Sequence, residues 1–164
     1  MTFTDTKKKY ILLSMIAFIV IGLIAAKVMA SNQDNKFTTE DVLYQQAAQM
    51  YNEGNYTEAA IYINELIKSQ PNSEVVNYLG GLIAANNDEA ARSAILLQKT
   101  LDINPYKVED PMFMLQFAEV LVMAELFENA KTVLTRCQES VWAPEEYPDY
   151  QNRVTELLTQ IENK

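Results

Sequence analysis

Residues 40–71, EDVLYQQAAQMYNEGNYTEAAIYINELIKSQP, decide the fold. Leu43, Ala47 and Met50 recur at helical spacing until Asn52 to Asn55 interrupt them with Gly54, a residue free to take the left-handed conformation that stops a helix. From Tyr56 a second stripe follows, with Ala59, Ala60, Ile63, Leu66 and Ile67 on one face and Pro71 at its end. Small residues at Ala47 and Ala59 let two antiparallel helices approach closely. Pro71 and Pro105 both close amphipathic runs, and 105 − 71 gives 34, a spacing that signals a repeated helical hairpin.

Working outward, Thr38 or Thr39 reads as the cap of the first helix, with Glu40 and Asp41 in its first turn. A second unit runs from about Ser73 to Pro105. Its turn is Asn86-Asn87-Asp88, and its second helix, carrying Ala94, Leu97 and Leu101, reads as longer than that of the first unit. Gly80 and Gly81 cost about 1 kcal/mol each inside a helix, so close packing is their expected reason, with a binding hinge as the alternative. Asp110-Pro111 opens a third unit as cap and first-turn proline. Met114, Phe117, Ala118 and Leu121 line its first helix, and Ala130, Leu134 and Cys137 its second. After VWAPEEYPDYQ, the residues Tyr150, Val154, Leu157, Leu158 and Ile161 restore one apolar face. That helix suits a solenoid cap, or alternatively a helix offered to a partner.

The run Gly54-Asn55-Tyr56-Thr57-Glu58-Ala59-Ala60, with Ala47 upstream and Pro71 downstream, resembles a tetratricopeptide (TPR) repeat. Tyr78-Leu79-Gly80-Gly81 in the second unit and Ala118, Phe127 and Ala130 in the third are similar to the same pattern. The third turn lacks the family's glycine. The resemblance implies an all-α solenoid of about three hairpins with a C-terminal capping helix, and a concave face, formed by the first helix of each hairpin, that binds polypeptide. Carried onto this sequence, that face holds Tyr44, Tyr51, Asn52, Asn77, Gln116 and Glu119. The bland alternative is that the tyrosines fill gaps between helices and the polar residues are solvated. The basic clamp that some family members use for acidic tails has no counterpart, because Tyr44 and Ala48 occupy its positions.

The N-terminal segment reads as a membrane signal. Lys7, Lys8 and Lys9 precede the uncharged run YILLSMIAFIVIGLIAA from Tyr10 to Ala26, about 26 Å as a helix. The expected organisation is a cytoplasmic segment 1–9, a transmembrane signal anchor 10–30, a tether 31–37 and a helical domain 38–164. The lysine bias places the domain outside the inner membrane, in the periplasm of a bacterial cell. A cleavable signal peptide ending at Ala30 is the alternative.

Composition narrows the function. After residue 30, nine Lys or Arg stand against twenty-one Asp or Glu, and 9 − 21 gives −12, a charge that repels nucleic acid. There is no histidine, which removes imidazole bases and His metal ligands, and the single Cys137 can form neither an internal disulfide nor a CxxC pair. No cofactor, metal, small-molecule substrate or catalytic residue is expected. Cys137 reads as a buried, inert thiol. The leading expectation is a membrane-tethered scaffold that binds a neutral or basic polypeptide in the envelope, as TPR subunits of c-type cytochrome maturation do by resemblance. The alternatives are an ancillary, chaperone-like partner of a translocon, or a self-associating structural bracket.

Overall fold

The computed structural model describes Leu23, Lys27 and residues 38–164, and the chain divides into a unit 1–42 and a unit 43–164. The described residues of the first unit are helical, including Thr38 and Thr39, so neither threonine is the non-helical cap that the sequence suggests. The second unit is a run of helices in antiparallel pairs: α1 over 43–52 with α2, Tyr56–Ser69; α3, Glu74–Asn86, with α4, Ala90–Ile103; and α5, Pro111–Met123, with α6, Phe127–Glu139. A 3-10 turn, Pro105–Glu109, precedes α5, and α7, Tyr150–Glu162, follows the last pair. These are the three expected hairpins and the added terminal helix.

The three hairpins turn in the same way. Asn55 N–H donates to Met50 O at 2.8 Å and Gly54 N–H to Tyr51 O at 3.0 Å. Glu89 and Asp88 repeat the pair on Ala84 O and Ala85 O, as do Leu126 and Glu125 on Leu121 O and Val122 O. In each turn the second residue after the helix has positive φ: +75° at Gly54, +61° at Asp88 and +59° at Glu125. This is a Schellman closure, in which a left-handed residue lets two orphan carbonyls be satisfied. The turns fix the register of the repeats: 88 − 54 gives 34 and 125 − 88 gives 37. Helices α2 and α4 are both 14 residues long, so the second helix of unit two is not longer. The three extra residues lie in the 104–110 link that carries the 3-10 turn.

Small residues sit where the paired helices meet. Ala47, Gly81 and Ala118 share one repeat position, and Ala59, Ser93 and Ala130 another; all are buried. Ser93 Oγ donates to Gly81 O at 2.7 Å, so the one hydroxyl among them is satisfied. A Cβ on Gly81 would lie 2.6 Å from Leu97 Cδ2, and one on Gly80 2.9 Å from Ile67 Cδ1. Close packing, and not a hinge, accounts for both glycines. Asp110 caps α5 as its sequence suggests, accepting from Phe113 N–H at 3.1 Å. Tyr150, Val154 and Leu157 of α7 are buried against the third hairpin, while Asn152, Thr155 and Thr159 on its outer side are exposed, which is the character of a cap. Cys137 is fully buried, and burial pushes its thiol above the ordinary range, as expected of an inert cysteine.

The membrane architecture expected from the N-terminal segment is corrected. Among the described residues no helix is long and apolar enough to cross a membrane. Helices α2 and α4, 14 residues each, rise about 21 Å against about 30 Å of hydrocarbon. The segments 1–9, 10–30 and 31–37 lie outside the described residues apart from Leu23 and Lys27. The single-pass inner-membrane placement and the periplasmic location that followed from it have no support in the structure.

Candidate functional site

The first helices of the three hairpins contribute to one depression of about 280 Å³. Tyr51 comes from α1; Leu82, Ala85 and Asn86 come from α3; Gln116, Glu119, Val120 and Met123 come from α5. The turn register explains the convergence. Positions 52, 86 and 123 are equivalent, each two residues before the left-handed residue, and so are 48, 82 and 119 and likewise 44 and 78. A repeat places equivalent residues of successive units side by side, so one face of the sequence becomes one wall of the groove.

The groove is amide- and phenol-rich over an apolar floor. Tyr78 Oη donates to Gln116 Oε1 at 2.6 Å, which ties α3 to α5 and leaves the Gln116 NH₂ as its donor. Asn86 Nδ2 donates to Leu82 O at 2.8 Å. Burial raises the Tyr51 phenol above its usual range, Tyr56 adds to the rise and the Asn86 side chain opposes it. Burial likewise raises Tyr78. Both phenols therefore stay neutral hydrogen-bond donors at ordinary pH. At the α7 end, Arg153 Nε donates to Glu119 Oε1 at 2.8 Å and its Nη1 reaches Glu156 Oε2 at 3.4 Å, so one guanidinium serves two carboxylates. Met123, 51% exposed, supplies a pliable apolar contact.

Of the residues that the sequence assigns to this face, Tyr51, Gln116 and Glu119 line the depression together. Tyr44 is half-buried on α1 against the core formed by residues such as Ala47, Ile63 and Leu66, and Asn52 is exposed at the end of the same helix. Asn77 is elsewhere. It is fully buried, and its Nδ2 donates to Pro71 O at 2.9 Å and Ser73 O at 2.6 Å, so it ties down the link between the first two hairpins. Leu82, Asn86 and Met123 are additional groove residues, and Tyr78 reaches the groove through its hydrogen bond to Gln116. Alignment on the left-handed turn residues finds Tyr78 from Tyr44 and Asn86 from Asn52, whereas alignment on the prolines alone does not reach Met123. Trp142 and Tyr147 pack against the core, Trp142 edge-on to Tyr150 at 6.3 Å.

A volume of about 280 Å³ suits a peptide side chain better than a bound cofactor. Among the described residues, no group of His, Cys, Asp and Glu could hold a metal ion.

No family model matches the sequence, and no curated protein matches it. Among solved structures, the chain is similar to the Yersinia enterocolitica type III secretion translocator chaperone SycD, at 19% identity and a TM-score of 0.61, over 75% of this chain and 83% of that one. The complex of SycD with a peptide of the translocator YopD aligns at 19% identity and a TM-score of 0.60, over 75% of this chain and 92% of that one. The TPR2B domain of yeast Sti1, in its pHsp70 complex, aligns at 10% identity and a TM-score of 0.60, over 77% of this chain and 98% of that one. These likenesses replace the resemblance to membrane-anchored envelope subunits, and the cytochrome maturation role attached to it, with a likeness in fold to a secretion chaperone. Residues 43–164 form a TPR-like α-solenoid of three hairpins and a cap.

Proposed function

We propose that the chain is a chaperone-like binding protein that holds an extended segment of a client polypeptide along its concave face. The observation that carries this reading is the depression that α1, α3 and α5 share, with Tyr51, Asn86 and Gln116 offering hydrogen bonds beside Leu82 and Met123. An extended backbone needs alternating donors and acceptors, and phenols and amides supply both. Tyr44 and Asn52 extend the face along α1. The acidic surface selects a neutral or basic client over an acidic tail. The peptide complex of SycD supports the reading by fold.

Site-specific photocrosslinking in cells tests it. A photoreactive residue at Asn86 or Met123 should yield discrete polypeptide adducts, whereas one at Glu65, exposed on α2, should not. Equal labelling from all three positions, or none from the first two, sinks the proposal.

A further inference from the structure

Helix α5 has a cavity on each side. Its Gln116, Glu119 and Met123 border the concave depression, while Phe117 and Leu121 form the floor of a second groove of about 800 Å³ between α4 and α6. Ile95 on α4 and Leu126 at the start of α6 stand on its walls, 69% and 44% exposed. Two branched aliphatic side chains left open beside an apolar floor mark a surface made to be covered.

The dimensions and the charge select the occupant. Lining residues run along α4 from Ala91 to Ile103, about 18 Å at 1.5 Å per residue, or a little over three helical turns. The walls are helices whose backbone is already paired, so an extended segment would find no ladder there, whereas a helix brings its own hydrogen bonds. Lys99, Asp102 and Glu128 are the charged residues of the groove and its continuation along α6, a net −1 on a domain that is itself strongly acidic. A second copy of this chain is repelled by that charge, and a basic partner is attracted.

We propose that the α4–α6 groove is a second docking surface, separate from the concave face, for a basic amphipathic helix of a partner protein whose apolar stripe covers Ile95, Leu126, Phe117 and Leu121.

The test titrates the full chain into a fluorescent 14-residue leucine–lysine peptide with leucines at helical spacing, and into its leucine–glutamate counterpart. The lysine peptide should bind, and Ile95→Asp and Leu126→Asp should each weaken it by roughly tenfold or more. Ile61→Asp, which adds the same charge at an exposed position of α2 outside both grooves, should leave it within about twofold. Aspartate adds negative charge, so attraction by charge alone would strengthen binding in the first two variants. The proposal is overturned by unchanged or tighter binding in both aspartate variants, by equal affinity for the glutamate peptide, by binding of neither peptide, or by a dimer of the chain that Ile95→Asp dissolves.

Discussion

Gly54 and Glu125 occupy the same point of two turns, one as the residue suited to it and the other as a residue that is not. Their φ angles are +75° and +59°. A Cβ added to Gly54 meets nothing within 4 Å, so Gly54→Ala isolates the conformational effect. Left-handed backbone costs an L-residue about 1–2 kcal/mol, and removing a glycine from the unfolded chain returns about 0.4–1 kcal/mol. The net destabilisation is about 1 kcal/mol. For Glu125→Gly both contributions reverse, and the protein should gain about 1 kcal/mol, or roughly 3–5 °C in Tm for a domain of this size. Glu125→Ala keeps the strained backbone while removing the charge, so its stability should stay within about 0.5 kcal/mol of the parent. Urea unfolding followed by far-ultraviolet circular dichroism measures all three. A stabilised Gly54→Ala, or a Glu125→Gly that is less stable than the parent, would refute the argument that one turn geometry sets the register of the repeats.

Gly81→Ala adds a methyl 2.6 Å from the fully buried Leu97, and overpacking of about 1–3 kcal/mol outweighs a helix-propensity gain of about 1 kcal/mol. The loss should shrink when Leu97→Val is added, which a double-mutant cycle reads directly. Asn77→Ala removes two hydrogen bonds to the carbonyls of Pro71 and Ser73 and should cost about 2 kcal/mol in urea unfolding, although it touches no groove residue. Burial alone would raise the Asp110 carboxyl, but the Phe113 N–H and the Lys107 ammonium outweigh it and hold it below the usual range. Its contribution is therefore complete above the unfolded value and fades as pH falls through the folded one. The penalty of Asp110→Ala, about 1 kcal/mol at neutral pH, should accordingly diminish below about pH 4 in unfolding curves taken across that range.

Most of the architecture was legible because the signals are local. A cap such as Asp110-Pro111, a stripe such as Tyr150, Val154 and Leu157, and a glycine stop at Gly54 act within a few residues of themselves. The second and third turns were harder to read. Asp88 and Glu125 take the left-handed conformation without being glycine, since the helices they join are held by packing that outweighs a strain of about 1 kcal/mol. The proline spacing and the first turn spacing nevertheless agree at 34, so the misplaced site residue turns on burial and not on register. Asn77 is one of the few polar residues whose repeat position faces inward, and Asn86 joins Gln116 as an amide of the groove. Hydrophobicity of 10–26 invited a membrane reading that the described helices do not share, and the length of an apolar run does not reveal what fold its neighbours adopt.

Hydrogen exchange on the chain bound to a client recovered by crosslinking tests the central claim most directly. Binding in the concave groove should slow exchange in 78–86 and 112–123, where α3 and α5 line it, and leave 56–69 of α2 unchanged. Protection confined to α2, or spread evenly over every helix, would contradict the concave face as the client site.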